Sequence, residues 1–139
     1  MEKGDKELRR TEDPLTEQII GACIEVHQCL GPGLLEGVYE ACVCQELTIR
    51  GITFRRQVPL PINYKGLLLD CSYRADVVVD ESVVVELKAI EQLLPIHQAQ
   101  VLTYLRLGNY RTGLLINFNV PSLRQGLRRL THPRHFLTS

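Results

Sequence analysis

Two runs of three valines, joined by a short polar segment, constrain the fold more than any other feature of the sequence. They form the segment ADVVVDESVVVELKA at residues 75–89. Short continuous runs of β-branched residues are typical of strands that are buried on both faces. The segment 80–82 between them is polar and short, which favours a tight reversal. The sequence therefore predicts an antiparallel hairpin in the core of a sheet.

Charged residues interrupt both strands of this hairpin. Glu86 and Lys88 lie on one face of the second strand because strand side chains alternate, and Leu87 lies on the other face. Asp76 precedes Glu86 by ten residues, so the reversal brings the two carboxylates onto adjacent strands. Directly paired side chains have Cβ atoms ~4.5–5.5 Å apart. Two carboxylates at that separation repel each other, and a proton or a cation must relieve the repulsion.

A hard divalent ion with oxygen ligands, Mg²⁺ or Mn²⁺, is the natural cation for such a pair. An ion of this kind lowers the pKa of bound water and holds a phosphoryl oxygen. Lys88 is then placed to orient the attacking water or to offset charge on a phosphate. The alternative is that Glu86 and Lys88 are an exposed ion pair at a strand end. The pattern predicts a hydrolytic site, with the ion pair left open.

The overall charge does not indicate a nucleic-acid-binding protein, because 16 basic and 16 acidic residues give a net charge of zero. The distribution is less even. No acidic residue follows Glu91, whereas six arginines do: Arg106, Arg111, Arg124, Arg128, Arg129 and Arg134. A surface polarised in this way could face a polyanion, or it could reflect only where solvated faces fall. Both interpretations remain open.

Length and composition favour one domain in a reducing compartment. The chain has 139 residues, and no apolar run approaches the ~20 residues of a membrane span. We expect a disordered tail over 1–12, a single domain over 13–139, a cytoplasmic location and no membrane partner. The five cysteines are odd in number and include no CxxC pair, so we expect free thiols rather than a zinc site.

Hydrophobic periodicity predicts four helical segments. Asp13 and Pro14 begin the first, at about 14–29. The second spans about 34–49, with a buried stripe of Leu35, Val38 and Cys42. The third spans about 94–107, and a final amphipathic helix or helical turn is expected within 120–130. Together with the strands these helices predict an α/β fold with helices over a central sheet.

Period-two segments predict the remaining strands. The segment 52–64 contains Pro59 and Pro61, which favour an edge strand because proline cannot donate a ladder hydrogen bond. Residues 64–66 indicate a turn, and one or two strands follow up to Asp80. The apolar run at 111–118 is typical of a strand covered on both faces.

The spacing of Asp76, Glu86 and Lys88 resembles the core of the PD-(D/E)xK nuclease superfamily, with Ala75 where the usual proline stands. The segment GLLEGVY at 33–39 is similar to the motif of the GxxExxY protein family, and the resemblance covers roughly 15–130. It implies a restriction-endonuclease-like three-layer sandwich, with a central mixed β-sheet flanked by helices. It also implies a nuclease that uses Mg²⁺ or Mn²⁺ and acts on nucleic acid, with DNA favoured over RNA.

The resemblance also assigns roles to residues. Asp76, Glu86 and Glu36 would bind the metal, helped by the Leu87 carbonyl, and Lys88 and Gln100 would position water and phosphate. Gln100 and Tyr104 lie four apart on one helix face, like the Q-x-x-x-Y element of the exonuclease-like branch, where the tyrosine contacts the strand. Tyr39, Arg74, His97 and His27 complete the expected cleft as substrate-binding residues.

Each of these residues also has a simpler interpretation. Glu36 would favour the dipole of its helix in the first turn. Gln100, His97 and Arg74 could be solvated surface residues, Tyr104 could be a half-buried ring, and His27 could be a packing residue. At the level of function, the alternative is a module that retains the fold and binds nucleic acid or a protein without cutting. A protein partner could then deliver the substrate.

Overall fold

A five-stranded sheet lies between two layers of helices in the computed structural model of the chain, which describes residues 13–70 and 73–132. The tail predicted over 1–12, the Cys71 thiol and Arg134 lie outside the described residues. The helices are α1 (Pro14–Leu30), α2 (Glu36–Ile49) and α3 (Pro95–Gly108). The strands are β1 (Phe54–Pro59), β2 (Ile62–Tyr64), β3 (Leu67–Leu69), β4 (Arg74–Val79), β5 (Val83–Lys88), β6 (Thr112–Asn117) and β7 (Leu127–Thr131).

The main sheet has the order β1-β4-β5-β6-β7 and is mixed. Strand β5 pairs with β6 in parallel, through the α3 crossover, and the other neighbouring strands are antiparallel. The proline-containing β1 is an edge strand, as predicted. The valine-rich β4 and β5 form the predicted hairpin, and their reversal places Asp80 and Glu81 at φ 51° and 53°, values that a tight hairpin turn requires.

Two apolar cores result from the alternation of side chains in the sheet. One core packs beneath α1 and α2 and contains Ile19, Tyr39, Leu47, Val77, Val85 and Phe118. The other packs beneath α3 and contains Val78, Val84, Val101, Leu105 and Leu115. Strands β4 and β5 supply valines to both cores, which explains why their sequence is apolar on both faces.

The predicted first and third helices are confirmed within about a residue at each end. Asp13 caps α1, since its Oδ1 accepts a hydrogen bond from the Thr16 N–H at 2.6 Å. The four cysteines in the described ranges are free, as predicted. Within residues 13–70 and 73–132, none of the helices combines the length and the apolar character that crossing a bilayer requires.

The predicted buried stripe of α2 is wrong. Leu35 is 79% exposed and Val38 is 41% exposed, whereas Tyr39, Val43 and Leu47 are fully buried. Both stripes are apolar, so hydrophobicity alone does not choose between them. The ring of Tyr39 stacks on Phe118 at a centroid distance of 4.4 Å. Phe118 directly follows β6, and its contact with Tyr39 fixes which face of α2 turns toward the core.

The predicted C-terminal helix is also wrong. A 3₁₀ turn (Leu123–Gly126) leads into β7, which pairs with β6 and extends the sheet. Leu127 packs into the core under α1 and α2, and Leu130 packs into the core under α3. Their spacing of three fits opposite faces of a strand as well as one face of a helix. At Gly126 a side chain would collide with the Asn117 carbonyl oxygen, so the turn requires glycine.

Strands β2 and β3 form a separate two-stranded hairpin. Its turn residues, Lys65 and Gly66, have φ 48° and 90°, which confirms the predicted turn. Tyr64, Leu67 and Leu68 expose more than half of their surface. The hairpin therefore presents apolar side chains to solvent beside the main sheet.

Candidate active site

The two central strands separate at Asp76 and Glu86. The β4–β5 ladder ends at the pair Val77 and Val85. Beyond it, the Asp76 N–H donates to Glu86 Oε1 at 2.7 Å, and the Leu87 N–H donates to Asp76 Oδ2 at 2.9 Å. Each carboxylate thus bonds the main chain of the opposite strand in place of a ladder hydrogen bond. The structure brings the two carboxylates together at a fork in the sheet.

A second interruption faces the same aspartate. The register of β1 and β4 joins Arg56 to Val77 and Val58 to Ala75, but omits Gln57 and Asp76. Gln57 has φ 52°, a conformation that is uncommon for a residue with a side chain. Asp76 therefore lies where the pairing is broken on both sides of β4.

Burial and mutual repulsion raise the pKa of both carboxyl groups. Glu86 is 3% exposed. Burial, and then the charge of Asp76, raises the pKa of Glu86 to about 8. Burial likewise raises the pKa of Asp76, against the Leu87 N–H hydrogen bond, which lowers it. Without a cation, burial and repulsion thus favour retention of a proton by the pair.

Lys88 supplies positive charge that acts on both carboxylates of this pair. Its ammonium lowers the pKa of both Asp76 and Glu86. The strand end that carries it is fixed, because the Phe118 N–H donates to the Lys88 carbonyl at 2.8 Å. The half-buried Lys88 side chain thus lies beside the carboxylates on a rigid element.

Glu36 lies in the first turn of α2 and is exposed. Its negative charge raises the pKa of both Asp76 and Glu86. Nevertheless, in the part of the chain that the structure describes, no group of three or more His, Cys, Asp or Glu side chains is arranged to hold a metal ion. The expected three-acid cluster is therefore not formed, and the site is a carboxylate pair with Glu36 at its periphery.

Helix α3 places three of the predicted residues together. Gln100, Tyr104 and His97 line one groove, which Tyr73 also lines. Burial, followed by the charges of Glu86 and Asp76, raises the pKa of Tyr104 to about 12. The groove therefore adjoins the carboxylate pair. His97 also closes the first turn of α3, since its Nδ1 accepts a hydrogen bond from the Leu94 N–H at 2.9 Å.

Tyr39 lies in the core, and His27 is buried at the edge of a separate depression that Gln28 and Arg124 also line. Tyr39 is fully buried, and its hydroxyl donates to the Gly31 carbonyl at 2.6 Å and accepts from the Leu34 N–H at 3.2 Å. The expectation that Tyr39 lines the cleft is therefore wrong, because its hydroxyl is used to hold the loop before Glu36. His27 is buried and its Nε2 donates to the Val120 carbonyl at 2.8 Å, which favours the packing interpretation, and its substrate-binding role stays a prediction.

Arg74 is exposed at the start of β4. Its Nη1 donates to the Gln57 carbonyl at 3.4 Å, which places the guanidinium beside the break in the β1–β4 ladder. The substrate-binding role predicted for Arg74 stays a prediction.

Glu40 is a site residue that the sequence interpretation missed. It is 8% exposed, and its carboxylate accepts hydrogen bonds from Arg56 Nε at 3.0 Å and from Gln57 Nε2 at 3.1 and 3.2 Å. It thereby holds Gln57, which faces Asp76 across the broken ladder, and its charge raises the pKa of Asp76. Its position one helical turn after Glu36 was the signal available in the sequence.

Asn117 was also missed. It is 1% exposed, and its side chain pairs with the main chain of Ile90, accepting from N–H at 3.1 Å and donating to the carbonyl at 2.9 Å. These bonds fix the chain that follows Lys88. A polar residue at the end of the apolar segment TGLLIN was the signal for this role.

A family model described as the PD-(D/E)XK nuclease superfamily matches residues 13–130. No curated protein and no solved structure matches the chain. The match agrees with three helices around a mixed five-stranded sheet, and it confirms both the predicted superfamily and the restriction-endonuclease-like fold class. Membership of the GxxExxY group stays a prediction. The chain belongs to the PD-(D/E)XK nuclease superfamily.

Proposed function

We propose that the chain hydrolyses phosphodiester bonds of nucleic acid at the Asp76–Glu86 pair, with Mg²⁺ or Mn²⁺ as cofactor and DNA as the favoured substrate. The observation that carries the proposal is the pair itself, in which two carboxylates bond reciprocally across separating strands with Lys88 beside them. The superfamily implies a nucleic acid substrate, and its nucleases generally use divalent metal ions.

The donor atoms of the pair fit a small divalent ion. Asp76 Oδ1 and Glu86 Oε2 accept no hydrogen bond from any described residue, so one oxygen of each carboxylate is available. Mg²⁺ is commonly held by one or two carboxylates, with water and substrate phosphate completing its shell. Two acids therefore suffice without a third, and the Leu87 carbonyl is a further proposed ligand. When bound, the ion would activate water and stabilise negative charge on the phosphate.

The remaining side chains act on the phosphate and on protons. Lys88 would place its ammonium against a phosphate oxygen and offset the charge that develops during bond cleavage. The Gln100 amide would donate to the same phosphate or orient water. Since its pKa is about 12, Tyr104 keeps its hydroxyl proton and serves as a hydrogen-bond donor to the strand. The exposed Glu36 is proposed to accept a proton from water.

A cleavage assay tests this function. Labelled single-stranded and duplex DNA and RNA are incubated with Mg²⁺, with Mn²⁺ or with a chelator. The proposal predicts metal-dependent fragments, at least about 100-fold fewer fragments with Asp76→Asn or Lys88→Ala, and little change with Asp80→Asn, an exposed carboxylate in the β4–β5 reversal. A folded wild-type chain that binds nucleic acid but releases no fragments would contradict hydrolysis and support the non-cutting module.

A further inference from the structure

A groove of about 390 Å³ separates α3 from the chain that leads into β4. This volume falls in the range of ~300–1,000 Å³ that is typical of small-molecule sites. The residues that matter for its chemistry are Ile62, Tyr73, Ile96, His97, Gln100 and Tyr104. One of them, Tyr104, is near enough to Glu86 and Asp76 for their charges to raise its pKa, so the groove adjoins the carboxylate pair.

The uncharged side chains of the groove favour a nucleobase over the sugar-phosphate backbone as its occupant. Thr103 and Leu107 also line it, and among the described residues that line the groove none is Lys, Arg, Asp or Glu. Proteins hold nucleic acid phosphates chiefly with Lys and Arg. The uncharged part of a nucleic acid is the base, which is flat and apolar on its faces and polar at its edge.

The groove offers an aromatic ring for the flat face of a base and a polar group for its edge. The rings of Tyr73 and Tyr104 lie 6.5 Å apart and are tilted by 54°. Tyr104 is nearly buried, whereas Tyr73 is 44% exposed and presents its ring to a ligand. Bases stack on aromatic side chains of this kind whatever their sequence. The His97 Nε2 carries the proton because Nδ1 accepts from the Leu94 N–H, and it supplies a hydrogen-bond donor for a base edge.

We propose that this groove binds an unpaired nucleobase next to the phosphodiester bond that the carboxylate pair cleaves. The inference rests on the proposed function, and it narrows the substrate class to single strands or to frayed and flapped ends. Bases inside a duplex are stacked on both faces and cannot enter the groove. The zero net charge of the chain is consistent with recognition of bases in preference to a duplex backbone.

Binding measurements in a chelator test this proposal without any cleavage. Fluorescence anisotropy is recorded for an oligothymidine strand, an abasic strand of equal length and a blunt duplex. The oligothymidine strand is expected to bind about tenfold more tightly than the abasic strand. Tyr73→Leu should remove that difference, and Tyr73→Phe should keep it. Tyr64→Leu is the matched control, since Tyr64 is exposed but does not line the groove.

Equal affinity for the thymidine and abasic strands would overturn the proposal, as would tightest binding to the duplex or an unchanged preference in Tyr73→Leu. Tyr73→Leu should have the melting temperature of the wild type, because the ring is partly exposed. An unchanged melting temperature would show that any loss of binding does not result from unfolding. Metal-dependent cleavage with base-independent binding would refute the groove and leave the hydrolase intact. Base-dependent binding without cleavage would refute hydrolysis and support the groove.

Discussion

Asp76 and Glu86 face each other across the point where β4 and β5 separate, and the Asp76 N–H donates to Glu86 Oε1 at 2.7 Å. The return bond runs from the Leu87 N–H to Asp76 Oδ2 at 2.9 Å. These bonds fix one oxygen of each carboxylate and leave the other available. They also hold a half-buried aspartate against a buried glutamate, where both cannot be charged at low cost.

The raised pKa of Glu86 predicts a distinctive pH dependence of stability in the absence of divalent ions. Its folded-state pKa of about 8 exceeds the ordinary value of 4.5, so the folded state binds the proton more tightly than the unfolded state does. The stabilisation is complete below pH 4.5 and is lost as pH rises through 8. Glu86→Gln should flatten this slope and gain on the order of a few kcal/mol relative to wild type above pH 8.

Urea denaturation at a series of pH values, with a chelator present, measures this slope. Glu81→Gln is the control, since Arg55 lowers the pKa of the exposed Glu81 carboxylate, whereas burial raises the pKa of Glu86. Wild type and Glu86→Gln with identical slopes would show that Glu86 is not perturbed.

A divalent ion should stabilise the fold through the same pair. At a hundredfold excess over its dissociation constant the ion contributes ~2.7 kcal/mol, which raises the melting temperature by roughly 5–10 °C for a chain of this size. Asp76→Asn should abolish the rise, because an amide does not replace an ionised ligand. Asp80→Asn should retain it. A melting temperature that Mn²⁺ leaves unchanged in wild type would contradict this prediction.

Glu40 should hold the Gln57 side chain in place and should raise the pKa of Asp76 through its negative charge. Glu40→Ala removes the acceptor for Arg56 and Gln57 and should cost about 1–3 kcal/mol of unfolding free energy. Glu46→Ala, which breaks only the Glu46–Arg50 pair on the same helix, should cost well under that amount. Glu40→Gln should lower the pKa of Asp76, which carbonyl NMR titration measures. An unchanged pKa would show that Glu40 acts on folding alone.

The Tyr39 hydroxyl should order the loop that leads into α2. Tyr39→Phe keeps the stacking on Phe118 but loses the bonds to Gly31 and Leu34, at a cost of about 1 kcal/mol. Hydrogen exchange at the Leu34 amide should accelerate, while exchange at the Val43 amide should change only with global stability. Tyr64→Phe should leave both amides unchanged. Equal protection of Leu34 in Tyr39→Phe and wild type would argue against this role.

Local sequence patterns were enough to predict much of the fold. They failed where a contact with a residue far along the chain determines the structure. Neighbouring residues alone were enough to predict the valine-rich strands, the 80–82 reversal, the edge strand with its prolines and the helix cap at Asp13. By contrast, the orientation of α2 depends on Phe118, which lies far along the chain from Tyr39. The choice of strand over helix at Leu127 depends on the free edge of β6 and on the close approach of Gly126 to Asn117.

Local patterns also predicted part of the candidate site and missed the residues whose roles depend on distant contacts. Strand alternation and one hairpin were enough to bring Asp76 and Glu86 together. Helical spacing was enough to place Gln100 and Tyr104 on one groove. Glu40 binds the side chains of Arg56 and Gln57, and Asn117 binds the main chain of Ile90. The ring of Tyr39 is buried because it stacks on Phe118. Such roles follow from packing between elements, which a single segment of sequence does not encode.

The position of Mn²⁺ in a crystal grown with that ion tests the central claim most directly. The account predicts an anomalous scattering peak within about 2–2.5 Å of both Asp76 Oδ1 and Glu86 Oε2, with no peak there in Asp76→Asn. A wild-type crystal with Mn²⁺ bound elsewhere, and with none between these two oxygens, would contradict it.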